Sequence, residues 1–155
     1  MIKVAEAVHV AHRAGIIHRD LKPANIIIDA QGDPHVMDFG LAKEVNSMTW
    51  LTSTGVAMGT PYYMPPEQAR GEVRDLDVRA DVYSTGQTLY YLLVGHVAKA
   101  RGGGYASVLE RRPGHLPDPP PAAIDAVLKR ALAFEPQERW ESCEAMRMAL
   151  AEIQD

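Results

Sequence analysis

Residues 18–25 read His-Arg-Asp-Leu-Lys-Pro-Ala-Asn, and residues 38–40 read Asp-Phe-Gly. Between these two polar stretches, residues 25–28 form the β-branched run Asn-Ile-Ile-Ile, and residues 34–37 read Pro-His-Val-Met. The intervening Asp-Ala-Gln-Gly-Asp has the composition of a turn. The pattern predicts a small β-hairpin whose open end joins the two polar stretches.

The predicted hairpin would gather four chemically useful side chains in one place. They are two carboxylates, one amide and one ammonium: Asp20, Asp38, Asn25 and Lys22. Magnesium prefers oxygen ligands and binds through one or two carboxylates together with substrate phosphates. The grouping therefore suits a divalent cation that is bound to a phosphate.

The composition fits one soluble globular domain of 155 residues, 46% of them hydrophobic. The net charge is −4, from 16 basic and 20 acidic residues, which argues against non-specific nucleic-acid binding. The longest strongly apolar run, Leu89–Val94, is too short to span a membrane, and Glu6 interrupts any signal peptide. The single cysteine, Cys143, excludes an internal disulfide and fits a cytoplasmic location.

Hydrophobic periodicity predicts four helices, over residues 2–14, 80–94, 124–132 and 146–153. The long Gly-, Ser-, Thr- and Pro-rich stretch at 38–66 shows little periodicity, and such a stretch is usually functional or disordered. Residues 101–121 are predicted to form a second loop. With one hairpin and four helices, the fold class is mainly α.

Several helix ends are also predicted. Gly15 and Gly95 are expected to end the first two helices, and Ser142 is expected to cap the start of the last one. The Tyr-Tyr-Leu-Leu stretch at 90–93 is expected to lie in the core. Cys143 is expected to be an inert packing residue.

Five motifs occur in an order that resembles a protein kinase. Residues 18–25 and 38–40 look like the catalytic loop and the magnesium loop. The sequence Gly-Thr-Pro-Tyr-Tyr-Met-Pro-Pro-Glu at 59–67 is similar to the end of an activation segment. Asp-Val-Tyr-Ser-Thr-Gly at 81–86 resembles the start of the central helix, and the arginine in 135–140 matches the late helical region.

The resemblance covers essentially the whole chain, as the C-terminal lobe of a serine/threonine kinase of the bacterial, eukaryotic-type kind. It implies a kinase-like α+β fold that lacks the N-terminal lobe. Residues 1–155 would then form one domain: catalytic loop 18–25, magnesium loop and activation segment 38–67, and helical subdomain 80–153. The implied reaction is ATP- and Mg²⁺-dependent phosphoryl transfer to serine or threonine hydroxyls of a protein substrate.

The resemblance also implies roles for individual residues. Asp20 would accept the proton of the substrate hydroxyl, and Lys22 would stabilise charge on the transferring phosphoryl group. Asn25 and Asp38 would bind magnesium. Ile27 would form part of the floor under the adenine ring.

Other residues are implied to lie near the substrate or the activation segment. Lys22 followed by Pro23 looks like the serine/threonine class, and Thr60, which fits the same class, would contact the catalytic aspartate. Arg19 would pair with a phosphate on the activation segment, because a phosphate can order a loop against an arginine. The favoured acceptors are Thr52, Ser53 and Thr54.

Four further residues are implied to be structural. His18 would be a packed, hydrogen-bonded residue and not a base. Glu67 and Arg139 would form an ion pair, and Asp81 would hold the backbone of the catalytic loop. Buried charges of this kind need partners.

The chain departs from the family in one major respect. It contains no Gly-x-Gly-x-x-Gly loop and no strand lysine before the catalytic loop, so the upper half of an ATP site is missing from this sequence. A longer natural protein, a separate chain that supplies the first lobe, or a truncated gene would each explain this. A non-catalytic interaction module is therefore the alternative function. An uncovered upper face would expose apolar residues around Ile16, Ile27, Phe39 and Leu41.

Overall fold

The computed structural model describes residues 1–39, 61–72, 74–97 and 120–154. Within these ranges the fold is mainly helical, with one antiparallel pair of strands, as predicted. In chain order the elements are α1 (Ile2–Arg13), β1 (Ile26–Ile28), β2 (Pro34–Val36), α2 (Pro66–Ala69), α3 (Arg79–Val94), α4 (Ala122–Ala131) and α5 (Cys143–Gln154). Short 3₁₀ turns cover Pro23–Asn25, Pro61–Tyr63 and Pro136–Glu138. Most of the predicted loops at 38–66 and 101–121 lie outside the described residues.

The core forms where four helices meet. Helix α5 packs against α1, α3 and α4, and α3 also packs against α4. The buried apolar side chains are Val4, Ala5, Val8, Leu21, Val82, Tyr83, Leu89, Tyr90, Val127, Leu128, Ala131, Leu132, Cys143, Met146 and Leu150. Leu21 comes from the loop at 18–25, so this loop is tied directly to the helical core.

Helix α3 is the central element of the fold. Every residue from Ala80 to Tyr90 is buried, including polar ones. Thr85 and Thr88 donate their hydroxyls to the carbonyls one turn earlier, at 2.7 and 2.9 Å. Such bonds within the helix satisfy buried hydroxyls, so α3 can be surrounded on all sides by protein.

The prediction that residues 90–93 lie in the core is wrong in part. Tyr90 is fully buried, but Tyr91, Leu92 and Leu93 are exposed, with 59% of Leu92 accessible. Among the described helices, none is long and apolar enough to cross a bilayer.

The predicted helix ends are confirmed. Gly15 and Gly95 adopt positive φ angles of 77° and 81°, where glycine has no steric penalty. The Gly95 N–H donates to the carbonyl of Tyr91 at 2.8 Å. At the start of α5, Ser142 Oγ accepts a hydrogen bond from the Ala145 N–H at 3.1 Å.

The hairpin turn is closed by one carboxylate. Asp29 Oδ1 accepts hydrogen bonds from the N–H groups of Gln31 and Asp33, and Asp29 Oδ2 lies 2.7 Å from Nε2 of His35. The hydrogen bond with His35 lowers the pKa of Asp29 most, and the hydrogen bond from the Asp33 N–H lowers it further. Lys3 of α1 pairs with Asp33, which joins the turn to the first helix.

Helix α3 lies close to the end of α4 at Gly86. A methyl group at this position would lie 2.9 Å from Cβ of Ala131 and 3.2 Å from Cδ2 of Leu132. Overpacking of this kind costs about 1–3 kcal/mol, which exceeds the gain of about 1 kcal/mol in helix propensity. We expect Gly86→Ala to lower the free energy of unfolding, measured by urea denaturation. Adding Ala131→Gly should recover part of the loss, whereas a loss that is simply additive would contradict the close contact.

Cys143 begins α5 and is completely buried. Burial, and then the negative charge of Asp81, raise the pKa of its thiol to about 12, although a hydrogen bond with Thr85 opposes the shift. The thiol therefore stays protonated well above the pH at which an exposed cysteine ionises, near 8.5. We expect iodoacetamide at pH 9 to leave the native protein unmodified and to alkylate Cys143 in urea. Rapid native labelling, read by intact mass, would show that the thiol is accessible.

Candidate functional site

The hairpin brings the two polar stretches of the sequence together. Ile26 pairs with Val36 and Ile28 with Pro34, so β1 and β2 are in register over their whole length. Just beyond this pairing, the N–H of Met37 donates to the carbonyl of Asn25 at 2.8 Å. Asp38, the next residue, therefore lies at the same end of the hairpin as Asn25.

Asp20 forms the centre of a small polar cluster. Lys22 Nζ lies 3.2 and 3.0 Å from the two carboxylate oxygens of Asp20. Asn25 Nδ2 donates to the backbone carbonyl of Asp20 at 2.8 Å and makes a longer contact of 3.4 Å with its carboxylate. These contacts fix the amide of Asn25, which leaves its Oδ1 as the atom that can bind a cation.

Asp38 and Phe39 follow the hairpin directly. Asp38 is exposed and adopts a φ of 63°, an uncommon conformation for a residue with a side chain. The ring of Phe39 packs edge-on against the ring of His18, with 5.0 Å between their centres. Through the contact between Phe39 and His18, the residue after Asp38 packs against the first residue of the loop at 18–25.

His18 has both ring nitrogens engaged in the folded protein and is completely buried. Its Nε2 lies 2.8 Å from the carbonyl oxygen of Met37, and its Nδ1 accepts the N–H of Asp20 at 3.3 Å. A carbonyl on one side and an N–H on the other match the donor and acceptor pattern of the tautomer that carries its proton on Nε2. This arrangement ties the backbone of Asp20 to the end of β2.

The carboxylate of Asp81, at the start of α3, accepts three hydrogen bonds. The N–H groups of His18 and Arg19 donate to it at 2.7 and 2.9 Å, and His12 Nε2 lies 2.7 Å away. Asp81 is completely buried, so these donors compensate for the loss of water around its charge. The central helix thereby holds the loop before Asp20.

Arg139 and Glu67 form a buried, bidentate ion pair, with both N–O distances at 2.7 Å. The remaining N–H groups of the guanidinium donate to the carbonyls of Ala133, Phe134 and Arg79, at 2.9 to 3.1 Å. All the donors of Arg139 are thus satisfied. The pair joins α2 to the turn before α5, across 72 residues of sequence.

Two residues with contacts to this region were not identified from the sequence. His12, on α1, lies with its Nε2 2.7 Å from the carboxylate of Asp81. Gln68 Nε2 donates to the backbone carbonyl of Arg19 at 3.0 Å. Neither residue had a distinguishing sequence signal, because α1 also contains Lys3, Glu6 and His9, and each contact joins positions far apart in the chain.

Other predicted site residues are placed only in part. Ile27 lies on β1 and is 54% exposed, and Ile16, Ile28 and Met37 are also exposed. Phe39 is half-buried against the core and does not add to that exposed set. Outside the described residues lie Leu41, Thr52, Ser53, Thr54 and Thr60, so their predicted roles stay predictions.

The donors at the open end of the hairpin fit a magnesium ion. The amide oxygen of Asn25 and the carboxylate of Asp38 are hard oxygen ligands, which Mg²⁺ prefers over nitrogen or sulfur. Across the described ranges, no group of three His, Cys, Asp or Glu side chains could enclose a metal alone. A cation here would therefore take further ligands from phosphate and water, as Mg²⁺ commonly does.

Comparison with known proteins shows the family to which the chain belongs. The protein kinase domain family matches residues 1–150, so the chain belongs to the protein kinase family. It is 39% identical over 155 residues to the serine/threonine-protein kinase PknB of Mycobacterium leprae, covering 96% of this chain and 24% of that protein.

Other bacterial relatives give the same result. The probable serine/threonine-protein kinase PknB of Corynebacterium glutamicum is 38% identical over 165 residues, covering 99% of this chain and 25% of that protein. The probable serine/threonine-protein kinase SCO3848 of Streptomyces coelicolor is 37% identical over 154 residues, covering 95% of this chain and 23% of that protein. The resemblance to bacterial serine/threonine kinases is confirmed. The chain spans about a quarter of the length of these curated relatives.

Proposed function

We propose that this chain is the C-terminal lobe of a serine/threonine protein kinase, which transfers the γ-phosphoryl group of ATP to a protein hydroxyl. The observation that carries the proposal is the cluster of Asp20, Lys22 and Asn25, which lies at the same end of the hairpin as Asp38. The proposal includes the boundaries that the resemblance implies: a catalytic loop at 18–25, a magnesium loop and activation segment at 38–67, and a helical subdomain at 80–153.

The role of Asp20 follows from its exposure and its contacts. Its carboxylate is accessible, so it can accept a hydrogen bond from a substrate hydroxyl and take its proton as the oxygen attacks the γ-phosphorus. Lys22, within 3.2 Å of that carboxylate, can also reach the oxygens of the transferring group. Phosphoryl transfer needs positioning and charge neutralisation above all, and this pair supplies both.

Asn25 and Asp38 would hold the magnesium ion, through Oδ1 and the carboxylate. When bound, the ion would neutralise charge on the ATP phosphates. Asn25 also holds the carbonyl of Asp20, so the same side chain would connect the metal site and the base. Ile27, exposed on β1, would contribute to the apolar floor under the adenine ring.

The remaining assignments concern substrate class and control. Lys22 followed by Pro23, together with Thr60, favours serine and threonine as acceptors. Arg19 would pair with a phosphate on the activation segment, with Thr52, Ser53 and Thr54 as candidate sites. We propose a cytoplasmic enzyme whose partner is a protein substrate.

A complete ATP site needs parts that this chain lacks. The glycine-rich loop and the strand lysine would come from a segment outside these 155 residues, in the same protein or in a separate chain. The exposed side chains of Ile16, Ile27 and Met37 support such a cover, because apolar surface of this kind marks interfaces. A non-catalytic lobe that binds a partner is the second candidate, and it is favoured by the missing glycine-rich loop.

Magnesium-dependent nucleotide binding separates the two candidates. In the full-length protein that contains this chain, we expect Asp38→Ala to weaken Mg·ATP binding at least tenfold, because one of two protein ligands is lost. Asp75→Ala removes an exposed carboxylate elsewhere and serves as the control. Calorimetry with and without Mg²⁺ is the measurement. Equal binding by both variants, or no binding at millimolar nucleotide, would favour the non-catalytic module.

A further inference from the structure

The peptide bond between Arg19 and Asp20 is held at both ends by side chains. Its carbonyl oxygen, from Arg19, accepts a hydrogen bond from Gln68 Nε2 at 3.0 Å. Its N–H, from Asp20, donates to Nδ1 of His18 at 3.3 Å. The orientation of this peptide plane decides the direction in which the Asp20 side chain leaves the backbone.

Arg19 needs such support because of its conformation. Its φ is 66°, in the left-handed region that residues with a side chain seldom adopt. A residue in this region persists only when its surroundings hold it there. The Arg19 N–H donates to the buried carboxylate of Asp81 at 2.9 Å, so Asp81 holds one side of the residue and Gln68 holds the other.

Gln68 is well placed to hold this carbonyl firmly. It follows Glu67 in α2, and Glu67 is fixed by two bonds of 2.7 Å to the buried Arg139. The other end of the Gln68 amide, Oε1, is buried and has no hydrogen-bond partner among the residues that the structure describes. A buried oxygen without a partner is unfavourable in free energy, yet the amide keeps the orientation in which its nitrogen donates to the Arg19 carbonyl.

We propose that Gln68 is a positioning residue, which aims Asp20 by fixing the carbonyl of Arg19. The inference rests on the proposed function, in which Asp20 is the base. It also gives α2 a direct effect on the chemistry. Any movement of α2 would reach the Arg19–Asp20 peptide through the hydrogen bond from Gln68, so α2 and the loop at 18–25 would move together.

The test uses the full-length protein and two variants of Gln68. Gln68→Met keeps the length of the side chain and removes the donor, and Gln68→Glu replaces the donor with an acceptor that faces a carbonyl. Thr88→Val is the matched control, because it removes another buried hydrogen bond from a side chain to the backbone, inside α3. Each protein is compared for kcat, for KM of ATP, and for hydrogen exchange at the amide of Asp20.

We expect both Gln68 variants to lower kcat about ten- to a hundredfold, with KM for ATP within twofold of wild type, since misplacing a reacting group costs rate more than binding. We also expect faster exchange at the Asp20 amide in both variants than in Thr88→Val. Wild-type kcat and wild-type exchange in Gln68→Met would overturn the proposal. So would losses matched by Thr88→Val, since these would reflect global stability.

Asp20→Asn, assayed in parallel, separates this inference from the proposed function. If Asp20→Asn keeps wild-type turnover, the assignment of Asp20 as the base is wrong. The exchange of the Asp20 amide then still decides whether Gln68 holds the loop, because that measurement does not depend on chemistry.

Discussion

Asp20→Asn is expected to lower kcat for phosphoryl transfer about 10²- to 10⁴-fold, the range typical of a lost general base. The amide has almost the shape of the carboxylate but cannot take the proton of the substrate hydroxyl at neutral pH. It also loses the charge that attracts Lys22, which lies within 3.2 Å of both carboxylate oxygens. The rate is measured with the full-length protein, as transfer of the γ-phosphoryl group of ATP to a serine- or threonine-containing protein.

Binding of Mg·ATP is the internal control for this variant. Asn25 and Asp38 remain in place, so the affinity for the nucleotide should change by less than about threefold if Asp20 acts on the hydroxyl alone. Asp75→Asn, an exposed and distant change, should leave both quantities unaltered. Turnover of Asp20→Asn within threefold of wild type would contradict the role of Asp20, whatever the nucleotide affinity.

The hairpin and the helix ends could be predicted because their signals are local. A β-branched run, an Asp- and Gly-containing turn and a second short run determine a hairpin from about a dozen neighbouring residues. The caps at Gly15, Gly95 and Ser142 are similar, since each depends on one residue and the turn beside it. The structure confirms these elements to within a residue or two.

Periodicity was least informative for the central helix. An apolar stripe reports which side of a helix faces the core only when the other side faces water. In α3 all sides of the first three turns are buried, and Thr85 and Thr88 are accommodated by bonds to the preceding turn. The apolar Leu92 and Leu93 are instead exposed, which no pattern within the helix predicts.

The predicted site shows the same division between local and distant information. The grouping of Asp20, Lys22 and Asn25 lies within six residues and follows from the motif itself. The contacts of His12 with Asp81 and of Gln68 with Arg19 join residues 69 and 49 positions apart. They depend on how α1, α2 and α3 pack, so the sequence alone gave no means of finding them.

The largest stability effect is expected at Arg139. Replacing Arg139 with Met removes one partner of a buried bidentate pair and leaves the carboxylate of Glu67 uncompensated, which costs about 3–5 kcal/mol. The variant also loses donors to the carbonyls of Ala133 and Phe134. Domains of this size are stable by only about 5–15 kcal/mol, so this loss is a large fraction of the total free energy of unfolding. Urea denaturation followed by circular dichroism measures the loss.

Two comparisons identify the source of this loss. Arg130→Met removes an exposed guanidinium that stacks on Trp140 at 4.0 Å, and it should cost no more than about 1 kcal/mol. The double variant Glu67→Gln/Arg139→Met removes both charges, and it should be less destabilised than the sum of the single variants. Additive losses would mean that the packing of Arg139 against Tyr83 matters more than its charge. A non-additive result would establish that the uncompensated carboxylate beside Gln68 is what unfolds the protein.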